Sequence, residues 1–209
     1  MKFRPTLWAF GLSAVAAAIS ATAGAAEGNA ERGKVLAYTC HGCHGIPNYK
    51  NAVPSYSVPK LGGQHAKYLE AALREYAAGE RPHPTMHAQA VTQTDQDRAD
   101  IAAYLQAEPL KPNTEVVGTP PPATQTCVAC HGVDGAKTVA DDYPILAGQH
   151  PDYIVQALHD YQSGKRKNAV MAGIITGVKP QDFRAIAEFF SRQGGLCDTE
   201  SIRKHGKCP

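Results

Sequence analysis

Two copies of one short pattern stand out in the 209-residue sequence, and both combine thiols with an imidazole. They are Cys40-x-x-Cys43-His44 and Cys127-x-x-Cys130-His131. At this spacing two thiols can add across the two vinyl groups of a haem, while the following histidine presents its ring to the iron. The ligand on the other side of the iron largely decides whether the haem carries electrons or performs chemistry. We therefore predict two covalently bound haem c groups, attached through the four motif cysteines, with His44 and His131 as axial ligands of the irons.

Other interpretations of these motifs are weaker. A Cys-x-x-Cys pair alone also fits half of a zinc site or a thioredoxin-like redox pair. A zinc ion needs four sulfur or imidazole ligands around one tetrahedron, and a thioredoxin-like motif lies in an alternating βαβ pattern that this sequence lacks. Two copies in the same frame, in a chain that begins with an export signal, favour haem.

The export signal occupies residues 1–26. A short basic segment ending at Arg4 precedes an apolar run from Leu7 to Ile19, and small residues follow from Ser20 to Ala26. This pattern predicts a cleavable signal peptide, because the apolar run is short for a membrane span; an uncleaved N-terminal anchor is the alternative. We expect a mature chain in the periplasm with no transmembrane segment, soluble or peripheral to the membrane.

The charge balance argues against a nucleic-acid partner. The sequence has 21 lysines and arginines and 19 acidic residues, and Lys2 and Arg4 leave with the predicted signal peptide. The mature chain is therefore formally neutral, whereas nucleic-acid-binding domains carry a clustered basic face. The one dense basic run, from Lys165 to Lys167, is expected to be solvated or to help dock an acidic partner.

The two motifs belong to two copies of a longer repeat. Each motif is followed by a related segment, Pro59-Lys60-Leu61-Gly62-Gly63-Gln64-His65 in one copy and Pro144-Ile145-Leu146-Ala147-Gly148-Gln149-His150 in the other. Further matched pairs are Tyr68 with Tyr153, Tyr76 with Tyr161, Gly79 with Gly164, Arg81 with Arg166, and Met86 with Met171. We predict two homologous haem domains, over 27–108 and 123–209, joined by a proline-rich linker over 109–122.

The periodicity of both copies is helical, and no stretch alternates like a strand, so we predict an all-α fold. A helix is expected from Asn29 to Thr39, before the first motif, but prolines at 120–122 leave only one turn before the second motif. Gly79 and Gly164 are expected to end the helix that follows each motif, and the last helix of each copy should begin at Thr94 and Pro180.

Met86 and Met171 are the candidate sixth ligands. They are the only methionines besides Met1, and they occupy the same position of each repeat. A methionine is usually a flexible filler of the core. A core role would not confine both methionines to one matched position, so we predict that each thioether binds a haem iron.

Histidine is the rival ligand. His83 and His87 flank Met86, but Asn168 and Ala172 replace them in the second copy, so bis-histidine ligation could hold for one haem only. His65 and His150 are matched and are expected at a helix N-terminus or a haem edge. The unmatched histidines, His41, His159 and His205, are expected to face solvent. The second ring nitrogen of each proximal histidine should donate to a backbone carbonyl, for which Pro59 and Pro144 are the candidates.

Taken together, these features resemble the cytochrome c4 family, the tandem dihaem branch of the small His/Met cytochromes c. The resemblance covers about Glu27 to Arg192. It rests on the two motifs, the Pro-x-Leu-x-Gly-Gln-His segments, the Tyr…Tyr…Gly-x-Arg helices and the matched methionines. It implies two mono-haem domains about a pseudo-twofold axis and low-spin, six-coordinate irons. It also implies an N-terminal helix that crosses the last helix at a small residue, for which Gly33 against Tyr104 is the candidate pair in the first copy.

The leading functional hypothesis is a one-electron carrier of a respiratory chain with no catalysis of its own. The resemblance implies delivery of electrons to a terminal oxidase or reductase, and a quinol-oxidising cytochrome complex is the expected kind of donor. The alternative is the cytochrome subunit of a dehydrogenase complex. A haem enzyme is the third possibility, but it would need an open or displaceable position on one iron.

The C-terminal segment after Arg192 lies outside the resemblance. It holds Cys197 and Cys208, the only cysteines outside the haem motifs. In an oxidising compartment they can form a disulfide, worth about 2–3 kcal/mol in chain-entropy models. Two free thiols or a link between chains are the alternatives.

Overall fold

The computed structural model describes Met1 and residues 27–199. Within that part the chain forms nine α-helices and no strand, only two isolated bridges, Lys50 with Ser57 and Leu110 with Leu196. The all-α prediction is therefore confirmed. Most of the predicted signal peptide, together with His205 and Cys208, lies outside the described residues. None of the described helices is both long enough and apolar enough to cross a membrane.

The first domain contains five helices: α1 (Ala30–Leu36), α2 (His41–His44), α3 (Ala66–Ala78), α4 (Pro84–Ala90) and α5 (Asp95–Gln106). Their ends follow local chemistry. The Asn29 side chain accepts from Arg32 N at the start of α1, and Thr94 forms a capping box with Asp97 at the start of α5, as predicted. Gly79 ends α3 in the left-handed conformation, with φ of 73°, which glycine adopts without strain.

Helices α1 and α5 cross at Gly33, where the predicted small-residue contact is confirmed. A Cβ at this position would collide with the backbone oxygen of Asp100 and approach the Tyr104 side chain. Arg32 stabilises the contact between α1 and α5 through ion pairs with Asp97 and Asp100. Hydrogen bonds from Thr94 and the Arg32 guanidinium lower the pKa of Asp97 to about 2, so this carboxylate stays ionised at neutral pH.

Gly33→Ala is expected to destabilise the first domain by about 2–3 kcal/mol, because the added methyl group must push α1 away from α5. Urea denaturation followed by helical circular dichroism measures the change. Gly177→Ala is the control: its Cβ meets only the Ile174 oxygen at 3.7 Å, so we expect a change of about 0.5 kcal/mol or less. Equal stability of the Gly33→Ala variant and the wild type would contradict this account of the crossing.

Up to residue 199, where the described part of the chain ends, the second domain contains four helices: α6 (Gln125–His131), α7 (Pro151–Gln162), α8 (Ala169–Ile175) and α9 (Phe183–Ser191). A single 3₁₀ turn, Pro122–Thr124, replaces the N-terminal helix before the motif, as the proline run predicted. Another 3₁₀ turn begins at Pro180 and leads into α9. The domain core is correspondingly concentrated on α9, whose buried side chains include Phe183, Ile186, Phe189 and Phe190.

The two domains meet through reciprocal contacts of repeat-matched glutamines. The Gln64 side chain accepts from Ile145 N at 2.8 Å and donates to Ile145 O at 3.0 Å. The matched Gln149 makes the same two bonds, both 2.9 Å long, with the backbone of Lys60. Because Lys60 and Ile145 are themselves matched in the repeat, the interface has the exchange of contacts that a pseudo-twofold axis produces.

The proline-rich segment between the domains lies along the second domain. Lys111 N donates to Gly195 O at 2.8 Å, and the Asn113 side chain donates to Asp134 at 2.8 Å. Gln193 bonds both backbone groups of Val117, at 2.8 and 2.9 Å. The segment is thus fixed by hydrogen bonds to the chain that follows α9 and to Asp134, which follows the second motif.

Candidate haem sites

One continuous cavity of about 640 Å³ runs through both domains and across their interface. Its lining includes the candidate haem residues of both repeats: Cys40, Cys43, His44, Met86, Cys127, Cys130, His131 and Met171. Each domain therefore brings two thiols, an imidazole and a thioether to the same space, although these residues are far apart in sequence. Apolar side chains from α3, α5, α7 and α9 line much of the remainder.

The candidate proximal histidines are oriented by backbone carbonyls. His44 Nδ1 lies 2.7 Å from Pro59 O, and His131 Nδ1 lies 2.8 Å from Pro144 O, which confirms the predicted pair of contacts. This bond uses Nδ1 and leaves Nε2 available for iron. Burial lowers the pKa of His44 to about 4 and also lowers the pKa of His131. Both rings are therefore neutral at physiological pH, which is the form that binds a metal.

The four motif cysteines are partly buried, and Cys40 and Cys127 pack against the core clusters of their domains. Burial raises the pKa of the Cys40 and Cys127 thiols, opposite to the shift found in thiolate-based redox pairs. In the described residues, no group of three or more histidine, cysteine or acidic side chains could hold a metal ion. The direction of the thiol pKa shift counts against the thioredoxin-like interpretation of the motifs.

Met86 and Met171 lie in the first turn of matched short helices, α4 and α8. Each helix is capped by the residue three positions earlier: His83 Nδ1 accepts from Met86 N at 3.3 Å, and Asn168 Oδ1 accepts from Met171 N at 3.0 Å. Both methionines are partly buried and line the cavity. The repeat-matched caps place the two thioethers in equivalent positions. The sequence analysis did not predict this capping role. Its signal was the presence of His83 and Asn168, both able to cap a helix, at matched positions of the repeat.

The rival histidines are engaged elsewhere. Besides its Nδ1 cap, His83 places Nε2 3.1 Å from the Asn51 side chain, so both ring nitrogens have protein partners. His87 is exposed, and its Nδ1 lies 2.9 Å from Tyr76 O. This arrangement favours the methionine hypothesis over bis-histidine ligation in the first domain.

Comparison with known proteins agrees with this geometry. The cytochrome c family model matches residues 30–108 and 123–192. The cytochrome c4 of Azotobacter vinelandii is 31% identical over 194 residues, covering 78% of this chain and 89% of that protein. The crystal structure of reduced recombinant cytochrome c4 from Pseudomonas stutzeri superimposes with a TM-score of 0.62 at 26% identity, covering 79% of this chain and 99% of that one. This chain belongs to the dihaem cytochrome c4 family.

As a cytochrome c4, the protein carries two covalently bound haem c groups and transfers electrons. A second kind of relative has a more specific name. The "thiosulfate dehydrogenase electron acceptor" of Stutzerimonas stutzeri is 28% identical over 187 residues, covering 80% of this chain and 83% of that protein.

The remaining histidines of this cytochrome c4 differ in part from expectation. His65 and His150 occupy the N-terminal caps of α3 and α7, as predicted, and His65 Nε2 lies 2.9 Å from Thr138 Oγ1 of the other domain. His159 is exposed, but the prediction that His41 faces solvent is wrong. Its side chain is 7% exposed and packs edge-on against the Tyr104 ring, because the crossing of α1 and α5 covers it.

Two buried arginines of this cytochrome c4 reach across the domain interface. Arg81 donates to the Tyr153 hydroxyl, and the matched Arg166 donates to the Tyr68 hydroxyl at 3.1 Å. Arg166 is 5% exposed, so the expectation of a solvated basic run from Lys165 to Lys167 is wrong at its central residue. The basic run in the sequence does not predict the burial of Arg166, because this burial depends on contacts with the other domain.

Each guanidinium group also stacks on a tyrosine of its own domain. Arg81 lies 4.4 Å from the centre of the Tyr76 ring, and Arg166 lies 4.5 Å from that of Tyr161. Burial alone would raise the pKa of Tyr68, but the charges of Arg166 and Arg81 outweigh it and lower this pKa to about 8. The two buried guanidinium groups therefore place positive charge on the cavity wall at the interface.

This positive wall fits haem. Both arginines line the cavity, and Arg166 Nε is buried without a hydrogen-bond partner among the described residues. Burial raises the pKa of the nearby Glu75, which weakens it as a counter-charge. A buried cation requires an anionic partner, and the propionates of haem are carboxylates. The donor set thus matches a haem in each domain of this cytochrome c4, and the unpartnered Arg166 Nε matches a propionate at the interface.

Proposed function

We propose that this cytochrome c4 is a one-electron carrier of a periplasmic respiratory chain in which each haem iron is held between a histidine and a methionine. The matched placement of His44 with Met86, and of His131 with Met171, around one cavity carries the proposal. Cys40, Cys43, Cys127 and Cys130 attach the haems. A ligand on each side leaves an iron without an open position for substrate, which favours electron transfer over catalysis.

The surrounding residues adapt the haems to this role. Each bound haem supplies one ferric/ferrous couple, and a thioether ligand raises its potential. The carbonyls of Pro59 and Pro144 fix the orientation of the two histidines, and their hydrogen bonds increase the electron donation of the rings. Residues of both candidate sites line one cavity at the domain interface, and we propose that electrons pass between the two haems there.

The proposed electron source is a quinol-oxidising cytochrome complex, and the proposed acceptor is a terminal oxidase or reductase. The alternative is that the protein serves a dehydrogenase, and the electron acceptor of thiosulfate dehydrogenase among its relatives supports this possibility. Stopped-flow reduction of the purified ferric protein by each kind of donor separates them. Fast reduction by the quinol-oxidising complex alone supports the proposal, and fast reduction only by a dehydrogenase replaces it with the alternative.

The proposed site of action is the periplasm. The signal-peptide pattern over 1–26 supports export and cleavage, leaving domains over 27–108 and 123–209 with a linker over 109–122. Mass spectrometry of the purified protein should give a mature N-terminus near Glu27, in the periplasmic fraction. A chain that retains residues 1–26 in the membrane fraction would support the uncleaved anchor instead.

Arg81→Gln and Arg166→Gln are each expected to lower the haem potentials, because removal of a buried positive charge disfavours the reduced, less positive haem. A tenfold change in the ferrous-to-ferric ratio, about 59 mV for one electron, is the expected scale. Potentiometric titration measures it. Lys165→Gln and Lys167→Gln are matched controls: they remove the same charge from exposed neighbours of Arg166 and should leave the potentials nearly unchanged. Equal shifts in controls and test variants would contradict a specific role for the buried pair.

A further inference from the structure

The chain end after α9 reaches back to the first domain at one buried side chain. Thr199, which is 4% exposed, accepts hydrogen bonds through Oγ1 from Leu61 N at 2.8 Å and Gly62 N at 3.4 Å. These two amides lie just after Pro59, whose carbonyl faces the His44 ring. A residue at the far end of the chain is thus bonded to the loop that orients the proximal histidine of the first domain.

The repeat shows what this contact replaces. The matched amides of the second domain belong to Leu146 and Ala147, and both donate to Gly135 O, at 2.8 and 3.1 Å. Their acceptor therefore comes from the same domain, between the motif and the proline. In the first domain, among the described residues, the two amides donate instead to the Thr199 hydroxyl.

The difference has a local cause. Counted from the motif, Gly135 corresponds to Asn48, and both residues adopt positive φ, 75° and 59°. The turn is therefore shared, but the segment that follows is longer in the first domain and forms the bridge between Lys50 and Ser57. Among the described residues, no carbonyl of this segment is an acceptor for the two amides, which donate to Thr199 Oγ1 instead.

The segment that presents Thr199 is fixed to the second domain and to the linker. Leu196 N donates to Ala147 O at 2.8 Å, and Gly195 O accepts from Lys111 N at 2.8 Å. Asp198 also forms an ion pair of 3.6 Å with Lys60, inside the loop of the first domain. The match to the cytochrome c family model ends at residue 192, so this strap, residues 193–199, lies beyond the matched region.

We infer that Thr199 is a positioning residue for the first haem. It supplies to the first domain the acceptor that Gly135 supplies to the second, and it thereby holds the Pro59 carbonyl against His44 Nδ1. The inference rests on the proposed role of His44 as an axial ligand. If the loop loosens, the hydrogen bond to His44 weakens and the ring donates less electron density, which favours ferrous iron in that haem.

Thr199→Val in the full-length holoprotein tests this, because valine keeps the shape of threonine and removes the acceptor. We expect exchange of the Leu61 and Gly62 amides to quicken about tenfold or more, with the Leu146 and Ala147 amides unchanged. The ferrous-to-ferric ratio of the first haem at fixed potential should rise about three- to tenfold, an upward shift of up to about 59 mV. Haem methyl resonances, assigned to each domain by nuclear magnetic resonance, report the two potentials separately.

Thr199→Ser is the matched control, because it keeps the hydroxyl, and it should retain both the wild-type exchange rates and the wild-type potential. Unchanged exchange at Leu61 and Gly62 in Thr199→Val would overturn the inference. Faster amide exchange without a change in the potential of the first haem would also overturn it, because Thr199 would then stabilise the loop without affecting the haem. Equal shifts of both haems would also overturn it, since they would indicate a loosened interface.

Failure of the proposed function is recognised separately. It would appear in the wild-type protein as the absence of the far-red absorption band of methionine-ligated ferric haem. Amide exchange in the Thr199 variants does not depend on that band, so the contact made by the strap and the ligation of the iron are tested independently.

Discussion

Replacement of Cys127 and Cys130 by alanine is expected to leave one covalent haem per chain instead of two, because no thiol remains in the second domain's motif to bond the vinyl groups. Cys127 packs against the core cluster of that domain, so the haem attached there contributes to the core as well as to redox chemistry. The variant should therefore also lose part of its helical content, since a domain of this size depends on its haem for a core.

Mass spectrometry after denaturation in acid measures the haem count, because thioether bonds survive unfolding. Replacement of Cys40 and Cys43 should give the complementary result, with the haem of the second domain retained. Cys197→Ala is the control outside the motifs and should keep two haems. Two haems on the Cys127→Ala/Cys130→Ala chain would contradict attachment at these residues.

Met86→Ala and Met171→Ala are each expected to remove about half of the far-red charge-transfer band of the ferric protein and to lower one haem potential. Thioether sulfur is a soft ligand that favours the ferrous state, so its loss stabilises ferric iron. Each variant should also open its haem to added ligands. Absorption spectroscopy and potentiometric titration give both quantities in the same sample.

Two controls separate this account from histidine ligation. His87→Ala removes an exposed ring next to Met86 and should leave the band intact. His83→Asn introduces the residue found at the matched position 168, which caps α8, and it should also preserve the band. A wild-type band of one-haem intensity that Met86→Ala leaves unchanged would support the bis-histidine alternative for the first haem.

The sequence was sufficient for features determined locally or repeated in both copies. Thr94 caps its helix and Gly79 ends another because these residues satisfy backbone geometry within a few positions. The carbonyls of Pro59 and Pro144 could be predicted as partners of the proximal histidines because they stand at matched positions after each motif. The match between the two repeats therefore supported predictions that one copy alone could not have supported.

Features that depend on contact between the domains were not predictable in the same way. Arg166 appears in the sequence as the centre of a basic run, yet it is buried against Tyr68 of the other domain. Its match to Arg81 was the available signal, but the repeat gave no reason to prefer burial over solvation. Thr199 had no signal at all, since it lies outside the repeat and acts only through the folded interface.

We propose that each iron has a protein ligand on both sides and that the protein carries electrons without catalysis. Mixing the fully reduced wild-type protein with carbon monoxide at neutral pH tests it most directly, together with a peroxide turnover assay on the same sample. We predict slow or undetectable carbon monoxide binding at both haems and no peroxide turnover. Rapid binding at one haem, accompanied by turnover of peroxide or of a sulfur substrate, would contradict the claim and identify the protein as a haem enzyme.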